Sequence, residues 1–216
     1  MSVFEMPLAV ALESFGTVGL FASKDDVTPV LMAAHVSAGK ILATDRYAVG
    51  RYRSELVEGE GDGFLLPSSA IAWIAGIKRN SLRHGRKNGP SDRDGYASDP
   101  YRVRVEWDGA DVAVSLLHES RAHVAERSQT FDSVEGNFPP VERLFPDVGS
   151  TGGEIAGHFQ AWQMERLARA AKFFDKRANI RLEAIAAEGA GKLTPMYFSV
   201  HGTPFDGLIQ PSTPIG

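Results

Sequence analysis

Phe64-Leu65-Leu66-Pro67-Ser68-Ser69-Ala70-Ile71-Ala72-Trp73-Ile74-Ala75-Gly76-Ile77 is the stretch from which the fold can be read. Its first three apolar residues make a short strand. Pro67 ends that strand, because proline brings no N–H to a ladder and is tolerated where a helix begins. Ser68 and Ser69 are candidate caps, and Ile71, Ile74 and Ile77 recur on one helical face. Further on, Tyr101-Arg102-Val103-Arg104-Val105-Glu106-Trp107 alternates as a half-buried strand does. Asp108-Gly109 turns the chain, residues 112–117 return, and a third strand is expected near 123–130. The unit 63–146 therefore reads strand, helix, strands.

The same order occurs before and after it. In 3–56, Pro7 opens a helix with Leu8, Leu12 and Phe15 on one face. Apolar runs at 30–36, 41–44 and 47–52 read as strands, the first two separated by a Gly39-Lys40 turn. In 153–210 a helix is expected over 158–174 and strands over 180–185, 196–200 and 208–210. Residues 80–100 are rich in Gly, Ser, Asp and Arg without periodicity and read as a mobile loop, basic at 83–87 and acidic at 92–99. The expected class is α+β, with β-α-β-β(-β) units repeated and helices on one side of antiparallel sheets.

Composition narrows the chemistry. The chain has 216 residues, 43% hydrophobic and 23% charged, and no cysteine. Disulfides, thiolate metal sites and cysteine nucleophiles are excluded. No apolar run reaches the roughly 18 residues of a membrane span, and MSVFEMPLAV lacks a basic n-region, so a cytoplasmic protein is expected. The net charge of −4 is not that of a nucleic-acid wrapper, so any DNA contact needs a local basic face.

The third helix supplies one. At about 100° per residue, Arg166, Arg169, Lys172 and Lys176 share one side, and Met164, Leu167, Ala171 and Phe174 the other. Such a face suits phosphate binding without base reading; it is also the pattern of a solvated surface helix. Lys78 and Arg79, with Arg83, Arg86 and Lys87 in the following loop, add candidate cations; the first helix adds none.

Several segments resemble the bacterial DNA sliding clamp family, the beta subunit of DNA polymerase III. Ala43-Thr44-Asp45 is similar to that family's ATD step at the end of a strand. Phe64-Leu65-Leu66-Pro67 before a helix resembles the start of a half-domain. Gly136-Asn137-Phe138-Pro139, continuing to Arg143-Leu144-Phe145-Pro146, resembles the GxFP…RxLP connector between the middle and last domains. Thr194-Pro195-Met196 to Leu208-Ile209-Gln210-Pro211 resembles the closing strand pair. These matches cover nearly the whole chain in the family's order.

The resemblance implies a non-enzymatic processivity factor without cofactor. Such a protein forms a homo-oligomeric ring around duplex DNA, with helix cations turned to the backbone. It implies partner peptides from a DNA polymerase and clamp loader, held in an apolar pocket that carries over to Thr44, Tyr47, Val49, Pro146, Leu208, Gln210 and Pro211. It implies one complete clamp domain over 1–148, with halves at about 1–60 and 61–148 around the 80–100 loop. Residues 149–216 would then form half of a second domain, a compact form suggesting a phage-type member. The sequence departs from the family where Gly-His-Arg after ATD is Arg46-Tyr47-Ala48, where methionine before the last proline is Gln210, and in the missing half-domain. An adaptor or decoy that binds replication partners without closing a ring is the alternative.

Other motifs fail on spacing. Gly189-Ala190-Gly191-Lys192-Leu193 resembles a phosphate loop but has Ala186 and Leu193 at required positions. His118 and His123 are not at zinc-helix spacing. Asp92-Arg93-Asp94-Gly95 lacks a closing glutamate, Val103 standing there. Asp25-Asp26 has no partner base, and Trp73, Trp107 and Trp162 are expected in the core. No nucleophile, base and orienting group assemble for a hydrolase or transferase.

Overall fold

Residues 1–77, 99–121, 124–147, 151, 158–185 and 194–212 are described in the computed structural model. The chain enters as strand β1 (Ser2–Pro7) and turns at Pro7 into α1 (Leu8–Val18). A meander follows: β2 (Ala34–Ser37), β3 (Lys40–Thr44) and β4 (Ala48–Arg53), then a short β5 (Glu58–Glu60). The order repeats as β6 (Phe64–Leu66), α2 (Ser68–Ala75), β7 (Tyr101–Trp107), β8 (Asp111–His118) and β9 (Ala125–Asp132). Last come α3 (Ala161–Phe174), β10 (Ile180–Ala184), β11 (Met196–Val200) and β12 (Phe205–Ile209).

These strands form two sheets, ordered β5-β1-β7-β8-β9 and β10-β11-β12-β4-β3-β2-β6, with every pair antiparallel. The first two units exchange their leading strands: β1 pairs with β7, and β6 pairs with β2. Phe4, Pro7 and Gly16 recur at one constant offset as Phe64, Pro67 and Gly76. Phe4 and Phe64 touch, ring centroids 5.6 Å apart, so the exchanged strands meet through equivalent side chains.

α1 packs on both α2 and α3 and on strands of both sheets. Leu8, Val10, Ala11, Leu12, Phe15 and Val18 are buried, and so are Glu13, Ser14 and Thr17. A helix buried nearly all round cannot carry lysine or arginine without stranding a charge, which explains why α1 has neither. Its buried Glu13 instead accepts a hydrogen bond from the Tyr52 hydroxyl at 3.1 Å.

The third unit joins the first edge to edge. β12 pairs with β4, placing Gly207 opposite Gly50. A Cβ on Gly207 would lie 2.1 Å from the Val49 carbonyl oxygen, and one on Gly50 would lie 2.7 Å from Phe21. The space is taken by Phe21, Phe198 and Phe205, whose centroids are 5.6–5.8 Å apart. On the helix side Gly16 receives the Phe173 ring, 2.4 Å from where a Cβ would stand. Buried Asp206 fastens the joint: it accepts from Arg51 at 2.9 and 2.7 Å, from Arg53 at 3.1 Å and from the Tyr197 hydroxyl at 3.0 Å. Burial, and then the Asp206 charge, push the Tyr197 hydroxyl up to about 12.

Several expectations change. The run 30–36 is not one strand: Pro29–Met32 forms a 3-10 turn and β2 starts at Ala34. Ser68 and Ser69 do not cap α2; the Pro67 carbonyl takes the N–H groups of Ala70 and Ile71 instead. α3 begins at Ala161 rather than at 158, because Gln160 and Gln163 cap each other's backbone there. Met164 is half-buried, while Gln163 and Ala170 lie on the buried side.

Candidate interaction site at the unit junction

Between the end of α1, the 45–47 turn and α3 lies a cavity of about 610 Å3. Leu20, Ala22 and Leu31 supply apolar lining, Tyr47 and Trp162 the aromatic rings, and Lys24, Asp25, Asp45, Arg46, Glu165, Arg166 and Arg169 the charges. The turn is fixed by side chains. Thr44 Oγ1 donates to the Ala48 carbonyl at 2.9 Å and accepts the Arg46 N–H at 3.2 Å. Asp45 Oδ1 accepts the N–H groups of Tyr47 and Ala48 at 3.0 and 2.9 Å. Asp45 Oδ2 lies 2.6 Å from Arg166 Nη1. That contact is close but poorly directed, and Nη1 has no well-aligned hydrogen bond. The result of this turn is Arg46 at φ 81°, in the left-handed region that a side chain disfavours.

Of the four cations expected on the DNA-facing side of α3, Arg169 and Lys172 are exposed on the side turned from the core; Lys176 is exposed too, but it lies past the helix end, in the turn that follows Phe174, and so is not on that face. Arg166 is half-buried: its side chain is 17% exposed, it pairs with Asp45, and its guanidinium carbon sits 4.9 Å from the centre of the Trp162 ring. Arg177, which the sequence reading passed over, is also exposed beyond the helix. Lys78, Arg79, Arg83, Arg86 and Lys87 lie outside the described residues, as do the phosphate-loop-like and calcium-loop-like segments.

The seven carried-over pocket residues do not converge on one cavity. Tyr47, 62% exposed, lines the cavity above. Thr44 is buried and holds the turn. Val49 and Leu208 lie beneath the connector, in an apolar cluster with Leu42 and Val141 that Phe138 and Phe145 pack against. Arg51 stacks 3.5 Å from the centre of the Phe145 ring, and Lys40 pairs with Glu142 at 2.8 Å. Pro146 is half-exposed where the connector leaves. Gln210 donates to the Tyr47 carbonyl at 2.8 Å and accepts from Gln163 Nε2 at 2.9 Å, and buried Pro211 follows. Trp162 was expected in the core; it is 43% exposed and faces the cavity. Trp73 and Trp107 do pack against the core.

Among the described residues no cluster of His, Asp or Glu could hold a metal ion, and no helix is long and apolar enough to cross a membrane. No protein-family model and no curated protein sequence matches the chain. Solved structures do. The DNA polymerase III beta subunit of Thermotoga maritima superposes with a TM-score of 0.65 at 12% identity, covering 100% of this chain and 66% of that one. The beta subunit of Borrelia burgdorferi, solved with a natural product, gives 0.65 at 10% identity over 98% and 64%. The DNA polymerase sliding clamp of Bacillus subtilis gives 0.55 at 12% identity over 99% and 64%. The chain thus spans just under two thirds of these neighbours. Two antiparallel sheets with exchanged leading strands, a few helices packed on them and this likeness along the whole chain give the protein the fold of the bacterial sliding clamps.

Proposed function

We propose that the chain is a DNA sliding clamp or polymerase processivity factor without catalytic activity. The observation that carries this reading is α3. In a chain of net charge −4 it presents Arg169 and Lys172 on its exposed side, with Lys176 exposed in the turn just after its end, on a fold whose solved neighbours are replication clamps. Exposed cations without base-reading geometry hold duplex DNA weakly and let it slide. Residues 1–148 act as one clamp domain and 149–216 as half of another. The open edges of β9 and β10 join copies into a cytoplasmic homo-oligomer, and the junction cavity takes linear peptides of a polymerase or clamp loader.

The test is charge reversal. Arg169→Glu with Lys172→Glu lowers DNA retention and flattens its salt dependence by about one unit of log–log slope per lost phosphate contact. Unchanged retention and slope would remove α3 from the DNA-facing surface. The second reading, a clamp-like adaptor without a ring, draws on the third unit: Thr151 makes a single bridge to Ile185, with no full strand capping β10 among the described residues. A monomeric mass with intact peptide binding would favour it.

A further inference from the structure

We propose that the junction cavity selects peptides in which an acidic residue stands beside an aromatic anchor, and that Arg46 is the residue that reads the acid. The inference rests on the peptide-binding reading above and adds the chemistry of the partner.

Arg46 is the only non-glycine residue with positive φ among the described residues. An L-residue in that region is strained, and such strain persists where the surroundings impose it, commonly at binding sites. The turn does not need arginine: Thr44 and Asp45 already satisfy its N–H groups, and glycine would adopt φ 81° without strain. The arginine side chain therefore has to be explained by what it does. Its Nη2 meets the hydroxyl of Thr28, another cavity-lining residue, at 2.5 Å, and among the described residues it pairs with no carboxylate. A guanidinium so placed offers its remaining donors to an incoming carboxylate, a charge-assisted bond of the strong kind.

The rest of the cavity has matching chemistry. Trp162 carries Arg166 on its ring face, donates a hydrogen bond from its Nε1 to Gln160, and lines the same cavity as Tyr47. An aromatic anchor between such rings is recognised by desolvation. Four cations (Lys24, Arg46, Arg166, Arg169) line the cavity against three carboxylates (Asp25, Asp45, Glu165). This slight positive excess suits one or two carboxylates.

The experiment is a fluorescence-anisotropy titration of the full chain with short labelled peptides carrying Glu-Phe or Gln-Phe, and with oligothymidylate as competitor. Wild type is expected to bind the Glu-Phe peptide about tenfold more tightly than its neutral twin, the scale of one charged hydrogen bond. Arg46→Gly should bring the Glu-Phe peptide down to the affinity of its neutral twin, abolishing the preference, and give a Tm that does not fall. Tyr47→Ala should weaken both peptides. Equal affinity for the two peptides in wild type, with Tyr47→Ala still weakening both, overturns the role of Arg46 while the peptide site stands. Binding of neither peptide overturns the underlying reading as well. Displacement by oligothymidylate that depends on Arg46 assigns the cavity to nucleic acid and overturns the proposal.

Discussion

Two flanks of the molecule are built alike and end differently. On one, α1 and β4 meet the third unit: β12 extends the sheet, Phe173 enters at Gly16, and Asp206 ties Arg51, Arg53 and Tyr197 together. On the other, α2 and β9 occupy the equivalent places, and no strand pairs with the outer edge of β9 among the described residues. Seven of its eight residues are exposed, with Phe131 under Trp73 as the exception. The equivalent glycine, Gly76, would bring a Cβ near only two carbonyls of its own helix, each at 3.3 Å. The difference teaches that the unit's architecture tolerates either state. What commits a flank to partnership is the facing Gly50 and Gly207, the opening at Gly16 and the buried Asp206, features of a few residues and not of the frame.

The most damaging way to break the contrast is Asp206→Ala. It leaves Arg51, 12% exposed, and the Tyr197 hydroxyl without their shared acceptor, so the loss is expected at about 3–5 kcal/mol in urea unfolding. Gln129→Ala, on the open flank, should stay within about 0.5 kcal/mol. The glycine pair comes next. Gly16→Ala must push Phe173 aside and should cost about 1–3 kcal/mol, whereas Gly76→Ala, at φ −77°, should be neutral or stabilising by up to about 1 kcal/mol. Equal costs would mean that the two flanks are packed alike. The smallest effect concerns His35, which stacks on Phe138 of the connector at 5.3 Å. Burial lowers its pKa below the ordinary 6.5. Its neutral form is favoured in the folded state, so its contribution is present above pH 6.5 and is lost as pH falls through the depressed folded value. His35→Gln should flatten the decline of Tm on acidification; an unchanged decline would place its cause elsewhere.

Local patterns made much of the fold legible. Ile71, Ile74 and Ile77 are all buried as their spacing requires, and β7 with its Asp108-Gly109 turn follows the period-two alternation. What stayed hidden is long-range. Nothing in Phe64-Leu65-Leu66 says that it pairs with β2 and leaves β7 to β1. β5 was missed because Glu58-Gly59-Glu60 is polar and is held by long-range contacts, its pairing with β1 and the Arg102–Glu58 ion pair, its glycine making room for Phe4. At the site, the α3 cations were readable from helical spacing, but the pairing of Arg166 with Asp45 joins residues far apart in sequence. Trp162 was misplaced because aromatic content alone does not show which rings face a cavity. Arg46 could have been noticed only as a turn residue lacking the glycine its conformation favours.

The proposed clamp would hold DNA topologically, in a closed assembly whose α3 cations make only weak contacts. The direct measurement is co-elution of protein with nicked circular DNA, before and after the circle is cut to a linear form of equal length. The account predicts protein retained on the circle as an oligomer and lost on cutting. Equal retention on both forms, or a protein that stays monomeric and binds neither, would contradict it.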